Sequence, residues 1–214
     1  GGQLKLRIMA IIKSKPTSAP AAPTATAHDC AALAQQLSEP TAEARRWAAR
    51  DMADCPGSAL TLVTRLLIEP DVSVREVILT TLTRLGDQQA IPGLVSALRS
   101  EDAALRNEVI EALKQWHEAV APVMRSLLVD ADSDIRIFAV NILESLRHPD
   151  VETWLRQVIE SDTHVNVCGT AVDLLGEVGS PAVLDSLQGL KQRFANEPYI
   201  QFAAKLAIKR IVES

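Results

Sequence analysis

Aromatic residues make up 3% of this chain, and glycine fills 9 of its 214 positions. With so few large rings, the core must be built from small and aliphatic side chains, which suits closely stacked helices better than a large ligand cavity. Few glycines and no run of alternating β-branched residues exclude a sheet-based fold. No apolar run reaches the ~20 residues that a membrane-spanning helix needs; Leu4 to Ile12 is apolar but short and carries basic residues, and as a secretory signal it has too small an apolar core. Cysteine is scarce too. Cys30, Cys55 and Cys168 are odd in number, far apart and without a Cys-x-x-Cys pair, so neither a zinc knuckle nor a dithiol motif is visible. They read as free thiols in a reducing cytosol, which places the protein in the cytoplasm.

Positive charge is also missing where nucleic acid would need it. The net charge is −5, but Lys5, Arg7, Lys13 and Lys15 precede every acidic residue. The body after residue 27 holds 18 basic and 27 acidic side chains. An acidic body argues against a phosphate-binding groove and favours a protein partner with a basic or mixed surface. The segment Pro16 to Ala27 contains only Pro, Thr, Ser and Ala. It cannot bury enough apolar surface to offset the entropy of ordering, so residues 1–27 read as a leader and tether. Residues 1–8 look vector-derived, with Met9 as a native start. The folded body is expected over 28–214.

What the chain does have is a recurring pattern. In Asp71–Gly86 an acid is followed by a short gap, an apolar residue and Arg, then a helix closed by Gly. Asp71 suits an N-cap, because its carboxylate can accept from N–H groups that have no partner inside the helix. Val74, Ile78, Thr81, Leu82 and Leu85 lie on one helical face. Gly86 can take the left-handed conformation that ends the helix. The pattern returns around anchors at 45, 75, 106, 136, 168 and 201, a period of about 30–33 residues, which signals stacked repeats. A first helix precedes each anchored one, near 29–38, 58–68, 88–99, 118–128, 150–160 and 181–194. The fold class is therefore all-α, an α-solenoid of six helix pairs.

The turns repeat as well. Six residues before the anchors stand Glu39, Glu69, Ser100, Asp130, Asp162 and Ala195; four before stand Thr41, Asp71, Asp102, Asp132, His164 and Glu197. Acids here face the positive end of the second helix and can pair with a neighbouring anchor arginine, giving a ladder through Arg75, Arg106 and Arg136. Cys168 and Gln201 replace the arginine, so the ladder is expected to stop after the fourth repeat.

The pattern D-x-D-x-x-[VIL]-R-x-x-A-x-x-x-L-x-x-[LI]-G resembles the HEAT-repeat family, and most of all the short bacterial variety named after phycobilisome lyases. The match is strongest at Asp71/Arg75, Asp102/Arg106 and Asp132/Arg136. The resemblance implies that the second helices form a concave face which binds another protein. Its candidate contact residues are Glu76, Thr80, Asn107, Glu111, Lys114, Ile137, Asn141, Glu144 and Asp173. Leu79, Ile110, Val140 and Val172 share one register and either fill space between second helices or form an apolar stripe in the groove.

Catalytic constellations are missing from the sequence. HEAT-like relatives include a metal-dependent hydroxylase of a modified lysine, whose ligands are His-Glu pairs early in second helices. The pair His117-Glu118 instead follows Trp116 at a helix end, and the corresponding slot reads Arg106-Asn107-Glu108. No nucleophile elbow or phosphate loop is present, and no cofactor or metal is expected. The alternative with chemistry is a phycobilin-lyase-like or other tetrapyrrole-handling role, which rests on repeat shape alone. The principal expectation is a non-catalytic scaffold or adaptor.

Overall fold

A computed structural model describes residues 27–214. The basic leader and most of the tether fall outside the described residues. The rest forms twelve α-helices: α1 Ala27–Gln36, α2 Ala42–Asp51, α3 Ala59–Leu66, α4 Val72–Leu85, α5 Ile91–Ala97, α6 Ala103–Gln115, α7 Ala121–Leu127, α8 Ser133–Leu143, α9 Val151–Ser161, α10 Val165–Val178, α11 Leu184–Arg193 and α12 Pro198–Glu213. No strand occurs among the described residues. Odd and even helices alternate as first and second members of six pairs, and one buried apolar core runs along the stack from Leu37 to Ile211.

Each second helix starts where its cap residue predicts. The Asp71 carboxylate accepts from the N–H groups of Ser73 and Val74, and that of Asp102 accepts from Ala104 and Leu105. Asp132 caps through Asp134 N–H and Thr41 through Ala44 N–H. His164 and Glu197 hold the cap position without a side-chain bond. The residue two positions earlier has its own task. Glu69, Ser100, Asp130 and Asp162 each accept the backbone N–H of the following cap residue, which sets the turn between paired helices. At the far end of α4, Gly86 sits at φ 62°, in the left-handed region. The same slot after α6 is filled by His117 at φ 43°, the sole non-glycine residue with positive φ among those described.

The anchors tie the stack together, with one gap. Arg45 is buried and makes a two-pronged pair with Glu69 of the next repeat, at 2.9 and 2.8 Å. Arg75 reaches Asp102 at 2.7 Å, and Arg136 reaches Asp162 at 2.6 Å. The ladder expected from the sequence breaks at Arg106. Asp130, which should receive it, pairs with Arg99 from the preceding first helix, while the Arg106 guanidinium lies 6.0 Å from the Phe138 ring. Nor does the linkage simply end after the fourth repeat. Arg45, Arg106 and Arg136 also donate to the carbonyl six residues earlier, at 2.9, 2.6 and 2.7 Å. Cys168 makes the same bond to Asp162 O at 3.3 Å, and the Gln201 amide donates to Phe194 O at 2.9 Å. These shorter side chains can still close their own helix pair but cannot reach the next one. Arg193 makes that connection instead, donating to the carbonyls of Ile159 and Asp162 at the end of α9.

The expectation of three free thiols is overturned for two of them. Cys30 in α1 and Cys55, just beyond α2, form a disulfide with Cα atoms 5.7 Å apart. Their 25-residue separation hid the pairing, since spacing alone does not show that the α1–α2 hairpin brings them together. Cys168 alone is free among the described residues, and it is buried. Burial, and next the nearby Asp162 charge, push its thiol up to about 11.

Candidate partner-binding face

The second helices are in direct contact from α2 to α4, α6, α8, α10 and α12, while contact between first helices is closest only for α3 with α5 and α9 with α11. The second helices therefore form one unbroken layer, and its outward side is the candidate for the concave face that the repeat resemblance implies. Side chains that emerge between neighbouring second helices frame a row of clefts along it. The cleft between α4 and α6 has a volume of about 540 Å³, that between α2 and α4 about 380 Å³, and that between α8 and α10 about 220 Å³.

One register rule builds all three. The leading helix supplies positions one, five and eight after its anchor in two of them, Arg46, Arg50 and Ala53 or Glu76, Thr80 and Thr83, and positions five and eight, Asn141 and Glu144, in the third. The trailing helix supplies positions two, six and nine: Val77, Thr81 and Arg84; Glu108, Ala112 and Gln115; Thr170, Leu174 and Glu177. Of the sequence-derived residues, Glu76, Thr80 and Glu111 line the cleft between α4 and α6, and Asn141, Glu144 and Asp173 line that between α8 and α10. Lys114 lies between these two groups, bound to Glu111 at 3.0 Å and Glu144 at 3.2 Å, and so spans α6 and α8. Burial opposes its charge, but the two carboxylates outweigh this and raise its pKa above the usual lysine value. Asn107 is exposed, whereas Ile137 is half-buried against the core.

The trailing-wall positions were missed because a single helix does not show which of its flanks meets a neighbour. The repeat register carries that signal once the order of second helices is known. Burial also decides between the two readings of Leu79, Ile110, Val140 and Val172. They are 7%, 6%, 1% and 0% exposed, so they fill space between helices and form no open apolar stripe.

Charge changes along the face. Around the first cleft stand Arg46, Arg50 and Arg84 against the single acid Glu76. The second cleft holds Glu76, Glu108 and Glu111 against Arg84, and the cleft between α8 and α10 holds Glu144, Asp173 and Glu177 with no base. Glu108 is half-buried, 3.3 Å from Arg75. Its pKa is raised, because burial and the neighbouring Asp102 and Glu76 charges outweigh the attraction of Arg75. Asp173 accepts from the Tyr199 hydroxyl at 3.2 Å, which leaves part of its carboxylate turned to the cleft. No cluster of potential metal ligands occurs among the described residues.

Comparison with solved structures places the fold. A HEAT-like repeats protein from the archaeon Thermococcus onnurineus NA1 is 17% identical with a TM-score of 0.50, over 87% of this chain and 88% of that one. Human deoxyhypusine hydroxylase in complex with glycerol is 18% identical with a TM-score of 0.45, over 88% and 75%. The complex of CpcE and CpcF of phycocyanin lyase from Nostoc sp. PCC7120 is 16% identical with a TM-score of 0.38, over 93% and 99%. Comparison with curated proteins gives no match. The family description "HEAT repeats" fits residues 30–114, 59–132 and 120–209, which together take in nearly all of the helical stack. With that match, the six helix pairs and the recurring cap-and-anchor turns, the chain belongs to the HEAT-repeat family.

Proposed function

We propose that the protein is an interaction scaffold that binds a partner protein along its inner face. The observation that carries this reading is the row of clefts built in one register, with charge that shifts from basic at α2 to acidic at α8–α10. Solenoids of this kind use such extended inner surfaces for binding, and complementary charge sets partner choice and orientation. The fitting partner carries a basic or mixed stretch, its basic part over Glu111, Glu144 and Asp173. The clefts are lined by aliphatic, acidic, amide and hydroxyl side chains with arginine at one end, so nothing in their chemistry favours the lyase-like alternative.

No helix among the described residues is long and apolar enough to cross a membrane. The cytoplasmic location expected from three free thiols loses that support, because Cys30 and Cys55 are bonded and such bonds are rare in a reducing compartment. A pull-down from the native host, read by mass spectrometry, tests the face. Glu111→Lys combined with Asn141→Arg is expected to reduce recovery of the partner at least tenfold while the helical spectrum stays unchanged. Undiminished recovery would place the partner elsewhere.

A further inference from the structure

The cleft between α4 and α6, at about 540 Å³, is larger than the other two, and its ends differ. One end holds Glu76 and Glu108, the residues one and two places after their anchors. Glu108 lies 3.3 Å from Arg75, the chain neighbour of Glu76, so both acids stand at the same end. Val72 completes that end and is 55% exposed. The opposite end holds Arg84, two helical turns beyond Glu76 and so ~12 Å further along the axis of α4. Leu79 and Ala112 form the floor between them.

The two acids lack partners. Among the described residues, the exposed Glu76 carboxylate makes no hydrogen bond or ion pair. The Glu108 side chain is 23% exposed, and its Oε2 is buried without a hydrogen-bond donor. Arg75 is close, but its Nε is misdirected and itself unbonded, while its Nη1 is committed to Asp102 at 2.7 Å. The other charges around the cleft are already met. Asp102 caps α6 and takes Arg75, Glu111 takes Lys114 at 3.0 Å, and Arg84 has Asp54 at 3.7 Å. A buried carboxylate oxygen that no donor meets works against the fold. One that faces an open cleft marks a site for an incoming donor.

We propose that this cleft is an anchoring pocket for a single lysine side chain of the partner protein. The assignment rests on the reading of this face as the docking surface, and adds the residue that the face selects. The ammonium group lies between Glu76 and Glu108 and gives Glu108 Oε2 the donor it lacks. The aliphatic stem runs over Val72, Leu79 and Ala112, which explains an exposed valine at the rim. Lysine fits better than arginine, because an ammonium turns its three donors in different directions and can serve carboxylates from two helices. A guanidinium fork is matched to one carboxylate. Arg84 at the opposite end repels a second cation, so the pocket selects one lysine rather than a polybasic run.

The test titrates the isotope-labelled whole chain with a capped peptide that carries one lysine between alanines, read by amide chemical shifts. The same peptide with norleucine or arginine in place of lysine gives the comparison. The lysine peptide should move the amides of Glu76, Leu79, Glu108 and Ala112 in a saturable way. Norleucine should bind about tenfold more weakly, and arginine about threefold. Glu108→Gln should weaken the lysine peptide about tenfold without lowering the melting temperature, since the charge it removes is unmet. Glu76→Gln, at an exposed position, should weaken it as well and serves if the first variant folds poorly. Norleucine or arginine binding as tightly as lysine, shifts that avoid the cleft, or affinity unchanged in both variants would overturn the pocket. The partner pull-down separates the two readings. Recovery that falls with Glu111→Lys plus Asn141→Arg but not with Glu108→Gln keeps the docking face and refutes the lysine pocket. Peptide binding as expected, with partner recovery undiminished in that double variant, keeps the pocket and refutes the face.

Discussion

The first three repeats and the last two pack the same helix pairs with different chemistry. Between α2 and α4 the link is ionic and buried: Glu69 has a fully buried side chain and takes bonds from Arg45 at 2.9 and 2.8 Å, Arg65 at 2.7 Å and Asp71 N–H at 3.0 Å. Between α10 and α12 the anchors are Cys168 and Gln201, and small residues replace charge. A Cβ on Gly176 would come 3.3 Å from Ala207 Cα, so the two helices are in backbone-level contact there. The comparison teaches that a solenoid can join neighbouring repeats either through long side chains that reach across or through short ones that let the helices close in. Where the arginine is missing, the gap it would span is missing too.

The sharpest break should come at the ionic end. Arg45→Ala leaves the Glu69 charge buried with only Arg65 to meet it, and a loss of about 3–5 kcal/mol is expected in urea unfolding. A loss below 1 kcal/mol would mean that Glu69 takes up a proton or water at little cost. The central core comes next: Leu113 is 0% exposed, and Leu113→Ala should cost about 2–5 kcal/mol. At the close-packed end, Gly176→Leu should cost about 1–3 kcal/mol by forcing α12 away from α10. The corresponding position in the fourth repeat, Glu144, is exposed, and Glu144→Leu should leave stability almost unchanged.

Acid should separate the two ends without any mutation. Burial works against the Glu69 charge, but its bonds to Arg45, Arg65 and Asp71 N–H outweigh this and hold its pKa below the usual carboxylate value. The Arg75 bond lowers Asp102, and the Arg99 bond lowers Asp130. A depressed folded pKa gives stability that is present above the unfolded value, about 4, and is lost as pH falls through the folded one. Hydrogen exchange at pH 3 should therefore open the repeats from α2 to α7 before α10–α12. Glu108 has the opposite sign: its raised pKa means that its cost disappears as pH falls, which blunts the trend locally. Simultaneous opening of both ends would remove the distinction. The smallest expected effect is a gain. His117→Gly puts glycine into the left-handed slot that Gly86 fills one repeat earlier, and should stabilise by about 0.5–1 kcal/mol.

Much of this was legible in the order of residues. The caps at Thr41, Asp71, Asp102 and Asp132, the stop at Gly86 and the buried faces follow from local rules, because capping and helical periodicity act within a few residues. Half of the cleft lining was legible for the same reason. The other half was not: Glu108 or Glu177 on a helix drawn alone gives no sign of which neighbour it will face. The pairing of Asp130 with Arg99 rather than Arg106 was also hidden, since both arginines were within reach of the same turn.

The sequence by itself determined an all-helical stack of six units, where the capped second helices begin, and which side of each is buried. Those features depend on contacts over one or two helical turns. The first helices α5, α7 and α11 start about one turn later than expected, after short 3-10 turns. Only the tertiary structure decided that Cys30 meets Cys55, that the arginine ladder skips its third rung, and that Leu79, Ile110, Val140 and Val172 are packed between helices, Leu79 and Val140 at the floor of a cleft, rather than exposed as a stripe. Each of these outcomes turns on the distance and rotation between helices separated by about 20–30 residues of chain, and those are set by how whole side-chain surfaces fit together.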